Sequence, residues 1–306
     1  MIYTLTLSPC LDYVLEVSNF NKGIINKSKN EYIYPGGKGI NVSIVLKELG
    51  VKAISLGFSG GITGTMLEEK LKEHNINFDF INTNIDARIN VKISSLEETA
   101  INVSNKSPDK KYISKLIKKL QVTLKDFDIL VIGGSVPKGF SDTIYQDILE
   151  SIKDLKVLTI IDTTTSYLIN TLKYKPFLIK PNKEEAEEML NTKINNLDDC
   201  FDCAKKLQDL GAKNVIISLD KDGAILLCQN KDKIYIKDAC HDTINTVGCG
   251  DSLLAGVISK IENSEINLEA FKTGCACGIA CAKSIWLPNI NDIKSEYKKI
   301  NNVLKY

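Results

Sequence analysis

Short apolar runs recur along the chain, and longer stretches with helical spacing lie between them. "AISLGF" (53–58), "DILVIGG" (128–134), "VLTIID" (157–162), "PFLIKPN" (176–182) and "NVIISL" (214–219) are nearly continuous in apolar residues rather than alternating. A strand that is apolar on both sides has to be covered on both sides. The segments 40–49, 64–74, 141–152, 183–190 and 197–210 carry their apolar residues three and four apart, as amphipathic helices do. This repetition predicts an α/β fold with a mostly parallel sheet and helices on both faces. Ligands in such sheets bind beyond the carboxyl ends of the strands, where many of the Gly, Asp and Asn residues below fall.

Two regions, 11–35 and 87–104, break the alternation. "LDYVLEV", "NEYIYPG", "RINVKISS" and "ETAINVS" read as antiparallel strands without crossover helices. They predict one small sheet, a lid at the edge of the main body. No low-complexity linker or internal repeat divides the chain, so 1–306 reads as a single domain carrying that lid.

The 306 residues are 43% hydrophobic and 25% charged, enough for a sizeable core in a soluble protein. A formal net charge of +1 gives no broad attraction to nucleic acid or to an anionic membrane. Met1–Leu7 alternates apolar residues with Thr and reads as a first strand, not a signal peptide. No apolar run reaches the roughly 18 residues of a spanning helix. Nine cysteines without signs of secretion point to thiols in the cytoplasm. Cys200 and Cys203 sit in a helical pattern, and Cys275, Cys277 and Cys281 mix with Gly and Ala. Both groups therefore read as small hydrophobes in packed helices rather than as a zinc site.

In "NTVGCGDSLLAG" (245–256), Gly248 and Gly250 let the backbone turn sharply just before an apolar helix. Exposed backbone N–H groups and the positive end of that helix make an anion site suited to a transferring phosphoryl group. A carboxylate at its edge, Asp251, repels phosphate unless it has another task. Accepting the proton of an attacking hydroxyl is one such task, and capping the helix is the plainer alternative. In "YPGGKGINV" (34–42), glycines surround Lys38 ahead of a helix with Asn41 in its first turn. The spacing is neither the P-loop nor the dinucleotide fingerprint. Lys38 offers a point charge for phosphate and Asn41 a hydrogen bond for a sugar hydroxyl.

"PGGKGIN" together with "NTVGCGDSLLAG" resembles the two signatures of the ribokinase-like (PfkB) sugar kinases, in the branch of 1-phosphofructokinases and tagatose-6-phosphate kinases. "TLSPCLD", "GFSGGITG", "RINVKI", "GGSVPKG", "KPNKEE" and "SLDKDGA" follow in family order, so the likeness runs nearly end to end. It implies a ribokinase-like α/β/α fold and a kinase that uses ATP and Mg²⁺. Asp251 would be the base, with the backbone of Gly248, Cys249 and Gly250 as the anion hole. Asp12, Gly37 and Asn41 would hold sugar hydroxyls. Lys38 and Arg88, helped by Lys27, would grip the phosphate already on the sugar, and Asn90 and Ser135 would line the same pocket. Ser218, Leu219, Asp220, Lys221, Asp222 and Gly223 would contact ATP together with Gly250 and Asn182. Glu185, which with Asn182 completes an N-x-x-E motif, would organise Mg²⁺.

The chain departs from the family pattern at several points. Cys249 stands for a usual Ala, Ser8 for Asn, Asp220 for Gly, Lys27 for Arg and Ala87 for Thr, and "KSIWLPN" (283–289) does not follow the usual small-residue pattern. The reading is phosphorylation of a ketohexose phosphate, with fructose 1-phosphate to fructose 1,6-bisphosphate preferred over tagatose 6-phosphate as substrate. The rivals are a sugar-phosphate sensor without catalysis and, last, a nicotinamide oxidoreductase. The partners expected are the sugar phosphate, ATP and a second copy of the chain docked through the lid, with no nucleic acid or membrane.

Overall fold

The computed structural model describes residues 1–104, 108–237 and 243–305. The first half of the chain runs β1 (Ile2–Thr6), β2 (Cys10–Glu16), β3 (Asn30–Gly36), α1 (Lys38–Glu48), β4 (Ala53–Gly60), α2 (Gly61–Glu73), β5 (Asn77–Thr83), β6 (Arg88–Ser94), β7 (Thr99–Ile101), α3 (Lys110–Thr123), β8 (Ile129–Gly133) and α4 (Ile144–Ser151). It continues through β9 (Leu158–Asp162), α5 (Thr165–Thr171), β10 (Leu178–Ile179), α6 (Lys183–Leu190), α7 (Leu197–Asp209), β11 (Asn214–Ser218), β12 (Ala224–Leu227), β13 (Lys233–Ile236), α8 (Cys249–Ile258), α9 (Leu268–Ala282), α10 (Ile290–Lys299) and β14 (Val303–Lys305).

Among the described residues the large sheet has ten strands in the order β14-β13-β12-β11-β10-β9-β8-β1-β4-β5. From β5 to β11 every neighbouring pair is parallel, and β12, β13 and β14 add an antiparallel margin. The continuous apolar runs have the predicted cause. In β8, Leu130 and Ile132 pack with the cluster that includes α3, α4, α5, α6 and α7. Val131 between them packs with the cluster that includes α1, α8, α9 and α10. Period-two geometry thus sends alternate residues to opposite helical layers, and both layers are apolar.

The segments 11–35 and 87–104 do form a second sheet, in the order β3-β2-β6-β7. The β2–β3 and β6–β7 pairs are antiparallel, and β2–β6, which joins them, is parallel. A third apolar cluster, with Leu11, Ile40, Ile44, Leu67 and Leu71, ties β2 to α1 and α2.

α8 lies between α1 and α9, and each of its residues from Asp251 to Ile258 is buried. The small residues of "GCACGIACA" make that possible. A Cβ on Gly274 would stand 2.5 Å from Val257 Cγ2 and 2.7 Å from the Leu253 carbonyl oxygen. Cys200 and Cys203 are buried in α7, and Cys275, Cys277 and Cys281 in α9. No described helix is long and apolar enough to cross a membrane.

Candidate active site

A cavity of about 1210 Å³ opens between the carboxyl ends of the parallel strands and the small sheet. Thr6 follows from β1, Gly134 and Ser135 from β8, Lys180 and Asn182 from β10, and Ser218 from β11. Asp12, Gly37, Lys38, Asn41, Arg88, Asn90, Glu185, the stretch Ser218–Gly223, and Gly248 to Asp251 also line it. The structure therefore gathers every residue picked from the sequence except one. Lys27 is exposed on the connection between β2 and β3 and does not line the cavity.

One end of the cavity is built on α8. Gly248 is the N-cap, with φ 82° in the left-handed region where Gly is favoured. Asp251 stands in the first turn rather than at the cap, and it makes no capping bond. Helix geometry leaves the N–H groups at a helix start without intrahelical partners, and this start faces the cavity. Asn41 Nδ2 donates to Asp251 Oδ2 at 2.7 Å, across 210 residues of sequence. Burial pushes the Asp251 carboxyl above its ordinary value and the nearby Asp162 adds to this, while Lys38, Lys180 and the Asn41 bond oppose it.

Two lysines stand beside this carboxylate. Lys38 Nζ donates to Asp162 Oδ1 at 2.8 Å, and Lys180 Nζ lies 3.5 Å from Asp162 Oδ2, at the long limit of a hydrogen bond. Burial disfavours the Asp162 carboxylate, but Lys180 and Lys38 outweigh it and hold the group below its ordinary range. Burial likewise opposes the Lys38 charge, and Asp162 and Asp251 overcome it, so the ammonium is held above its ordinary value. Lys180 is 5% exposed, and a Cβ on Gly250 would come within 2.9 Å of its Nζ, so this cation rests against the helix start.

The small sheet supplies the other end. β2 and β6 run in register, with Cys10 beside Arg88 and Asp12 beside Asn90. Asn90 Nδ2 donates to Asp12 Oδ1 at 3.0 Å, and Lys92 Nζ donates to Asp12 Oδ2 at 2.9 Å. Arg88 donates to the Ser8 carbonyl at 3.2 Å and the Val103 carbonyl at 3.3 Å. Lys38 and Arg88 thus line the same cavity with different partners. Lys92 is the cation paired with Asp12.

In the stretch Ser218–Gly223, Asp220 has φ 50°, the left-handed conformation that a glycine adopts freely and that Asp tolerates better than most side chains. The usual backbone is compatible with this departure. Asn182 and Glu185 form a capping box on α6: the Asn182 side chain accepts from Glu185 N, and Glu185 Oε2 accepts from Asn182 N. Buried polar side-chain atoms normally find partners. Thr6 Oγ1, Asn41 Oδ1 and Arg88 Nε are buried without one, and all three residues line this cavity.

Sequence reasoning missed Lys92, Asp162 and Lys180. Lys92 was within reach, because Arg88, Asn90 and Lys92 alternate onto one face of a strand. Asp162 and Lys180 are the first charged residues after the apolar runs of β9 and β10, where strand ends meet the ligand.

The sequence model of the pfkB family of carbohydrate kinases matches residues 5–285. A 1-phosphofructokinase of Borreliella burgdorferi is 37% identical over 295 residues, covering 96% of this chain and 95% of its own. A 1-phosphofructokinase of Bacillus subtilis is 36% identical over 285 residues, 93% of each chain. The crystal structure of phosphofructokinase-2 from Escherichia coli shares the fold at a TM-score of 0.92 and 24% identity, covering 98% of this chain and 99% of that one. A family model matched over residues 5–285 and relatives 36% and 37% identical over nearly the whole length show that the chain belongs to the pfkB family of carbohydrate kinases.

Proposed function

We propose that the chain transfers the γ-phosphoryl group of ATP to the free primary hydroxyl of fructose 1-phosphate, giving fructose 1,6-bisphosphate and ADP. The names of the two relatives above support that substrate. The observation that carries the reading is Asp251, buried in the first turn of α8 with its carboxylate fixed by Asn41. The hydroxyl oxygen attacks the γ-phosphorus, the bond to the bridging oxygen of ADP breaks, and the hydroxyl proton passes to Asp251. Gly248, Cys249 and Gly250 present backbone N–H groups to the transferring group, and Lys38 and Lys180 offset its charge. Asp12 and Asn90 orient the sugar, and Arg88 and Lys92 offset its own phosphate. The small sheet acts as the lid that excludes water.

Ser218–Gly223 and Asn182 hold the nucleotide. Glu185 fits a Mg²⁺ role: one carboxylate oxygen is used in the capping box and the other is left for an ion or its water. Kinase Mg²⁺ commonly rests on one or two carboxylates and the substrate phosphates. When bound, the ion would neutralise phosphate charge. The partner is a second copy of this chain, docked through the small sheet. Ile89, Ile101 and Val103 are exposed on or just beyond its strands, and Ile24, Ile25 and Leu96 on its connections. The described cysteines form no disulfide, which suits the cytoplasm, where we place the enzyme.

The test is ADP formation from MgATP across a panel of hexose monophosphates that includes tagatose 6-phosphate. Turnover with fructose 1-phosphate, lost in Asp251→Asn, is the expected result. Ligand binding without ADP from any sugar would replace the kinase with a sensor.

A further inference from the structure

The loop that leads into α8, residues 244–248, is held from two sides. On the α9 side, Ile244 N and Asn245 N donate to the Ala282 carbonyl at 2.7 and 3.2 Å. Asn245 Nδ2 donates to the Trp286 carbonyl at 3.4 Å, and Leu287 lies against Gly248. This is the "KSIWLPN" segment, the place where the chain leaves the family pattern. Trp286 itself stacks on Tyr34 of β3, with ring centroids 4.2 Å apart and planes 9° apart, so even this support leans on the small sheet.

On the other side the grip is direct. Glu98, in the turn between β6 and β7, accepts from Thr246 N at 3.3 Å and from Thr246 Oγ1 at 2.9 Å through the same carboxylate oxygen. The two residues are 148 apart in sequence. Both are exposed, and exposed polar pairs contribute little to global stability. The pair instead joins two working parts. β6, which precedes the turn, carries Arg88, Asn90 and Lys92, and the loop that it holds ends at Gly248, the cap of α8.

We propose that Glu98 is a positioning residue that couples sugar-phosphate binding beneath the small sheet to nucleotide binding at the start of α8. A sugar phosphate held beneath the small sheet steadies it, and through the Glu98–Thr246 contact it steadies the loop that sets the N–H groups receiving the phosphoryl group. The inference rests on the kinase reading given above.

Calorimetry with the Mg²⁺ complex of a non-hydrolysable ATP analogue, with and without fructose 1-phosphate, tests it in the full-length protein. In the wild type each ligand raises the affinity for the other by one factor, in the range of about 5 to 150. In Glu98→Ala that factor falls towards one, while the affinity for the nucleotide analogue alone and the thermal midpoint stay at wild-type values. Its kcat falls about tenfold, as for a lost hydrogen bond to a charged group. Glu98→Gln keeps an acceptor oxygen and retains most of the coupling.

Wild-type coupling and kcat in Glu98→Ala would overturn the proposal. A lowered midpoint with all affinities weakened together would also overturn it, because it would mark a merely structural residue. A wild type that makes ADP but shows no coupling sinks this inference and spares the kinase. A wild type that makes no ADP from any hexose phosphate sinks the kinase reading, and the calorimetric arm, which needs no turnover, still decides the coupling.

Discussion

Asp251 pays for its position in stability. Its folded pKa lies above the unfolded one, so the native state favours the proton more than the unfolded state does. Keeping the group charged therefore costs stability above the folded pKa, and the cost fades as pH falls through it. Asp251→Asn should lower kcat by about 10²–10⁴-fold, the range of general-base catalysis. It should also raise the thermal midpoint at neutral pH, with the gain shrinking in acid, and scanning calorimetry across pH checks both the sign and its disappearance. The acid limb of wild-type kcat should fall at a pH above the ordinary carboxylate range. Cys249 gives a second residue-scale prediction. The other described cysteines are buried, whereas Cys249 is part-buried in the cavity wall. Iodoacetamide should inactivate the enzyme, the nucleotide should slow the loss, and Cys249→Ala should remain active and resist it. The placement of Asp251 and Cys249 was legible, because glycines before an apolar helix announce a turn into a buried helix start. The ionic neighbours of Asp251 were not. Nothing local in "VLTIID" or "PFLIKPN" says that Asp162 and Lys180 meet, since parallel β9 and β10 bring them together.

At the scale of elements, Asp251 is only as well placed as α8, and α8 depends on its close approach to α9. Gly274→Ala would put a methyl against a backbone oxygen and Val257, neither of which can swing away. It should cost about 1–3 kcal/mol, as overpacking in cores does. Gly250→Ala meets only the far end of Lys180, a flexible side chain. Its denaturation midpoint should stay close to wild type while kcat falls, because the ammonium is pushed off the helix start. Chemical denaturation beside steady-state kinetics separates the two. The five helices expected from their spacing, α1, α2, α4, α6 and α7, fall within three residues of the expected bounds: α6 spans 183–190 as expected, and α1 begins two residues before the expected 40, whereas α5 and α10 were not foreseen. The parallel pairing of β2 with β6 was not legible, because their alternation sets which face each side chain takes but not which neighbour lies alongside. β12 and β13 have four residues each, too few for a clear periodic signal, although they pair with each other across a short turn.

For the molecule as a whole, the apolar side chains exposed on the small sheet and its connections stand where a second copy would cover them. Light scattering should report a dimer, and Ile101→Glu should shift it towards monomer with the far-ultraviolet dichroism unchanged. A monomeric wild type at micromolar concentration would remove the proposed interface. The distance along the chain between the partners of one hydrogen bond has a consequence for biosynthesis. Asn41 is made early and Asp251 late, with 210 positions between them. Domains generally fold as units, so a site built from both ends of one domain waits for the later part. A chain that ends before α8 carries Asn41 and Asp12 but lacks Asp251, the proposed base. On the proposed mechanism the pocket has no base until translation has delivered α8, and a product truncated before that helix should consume no ATP.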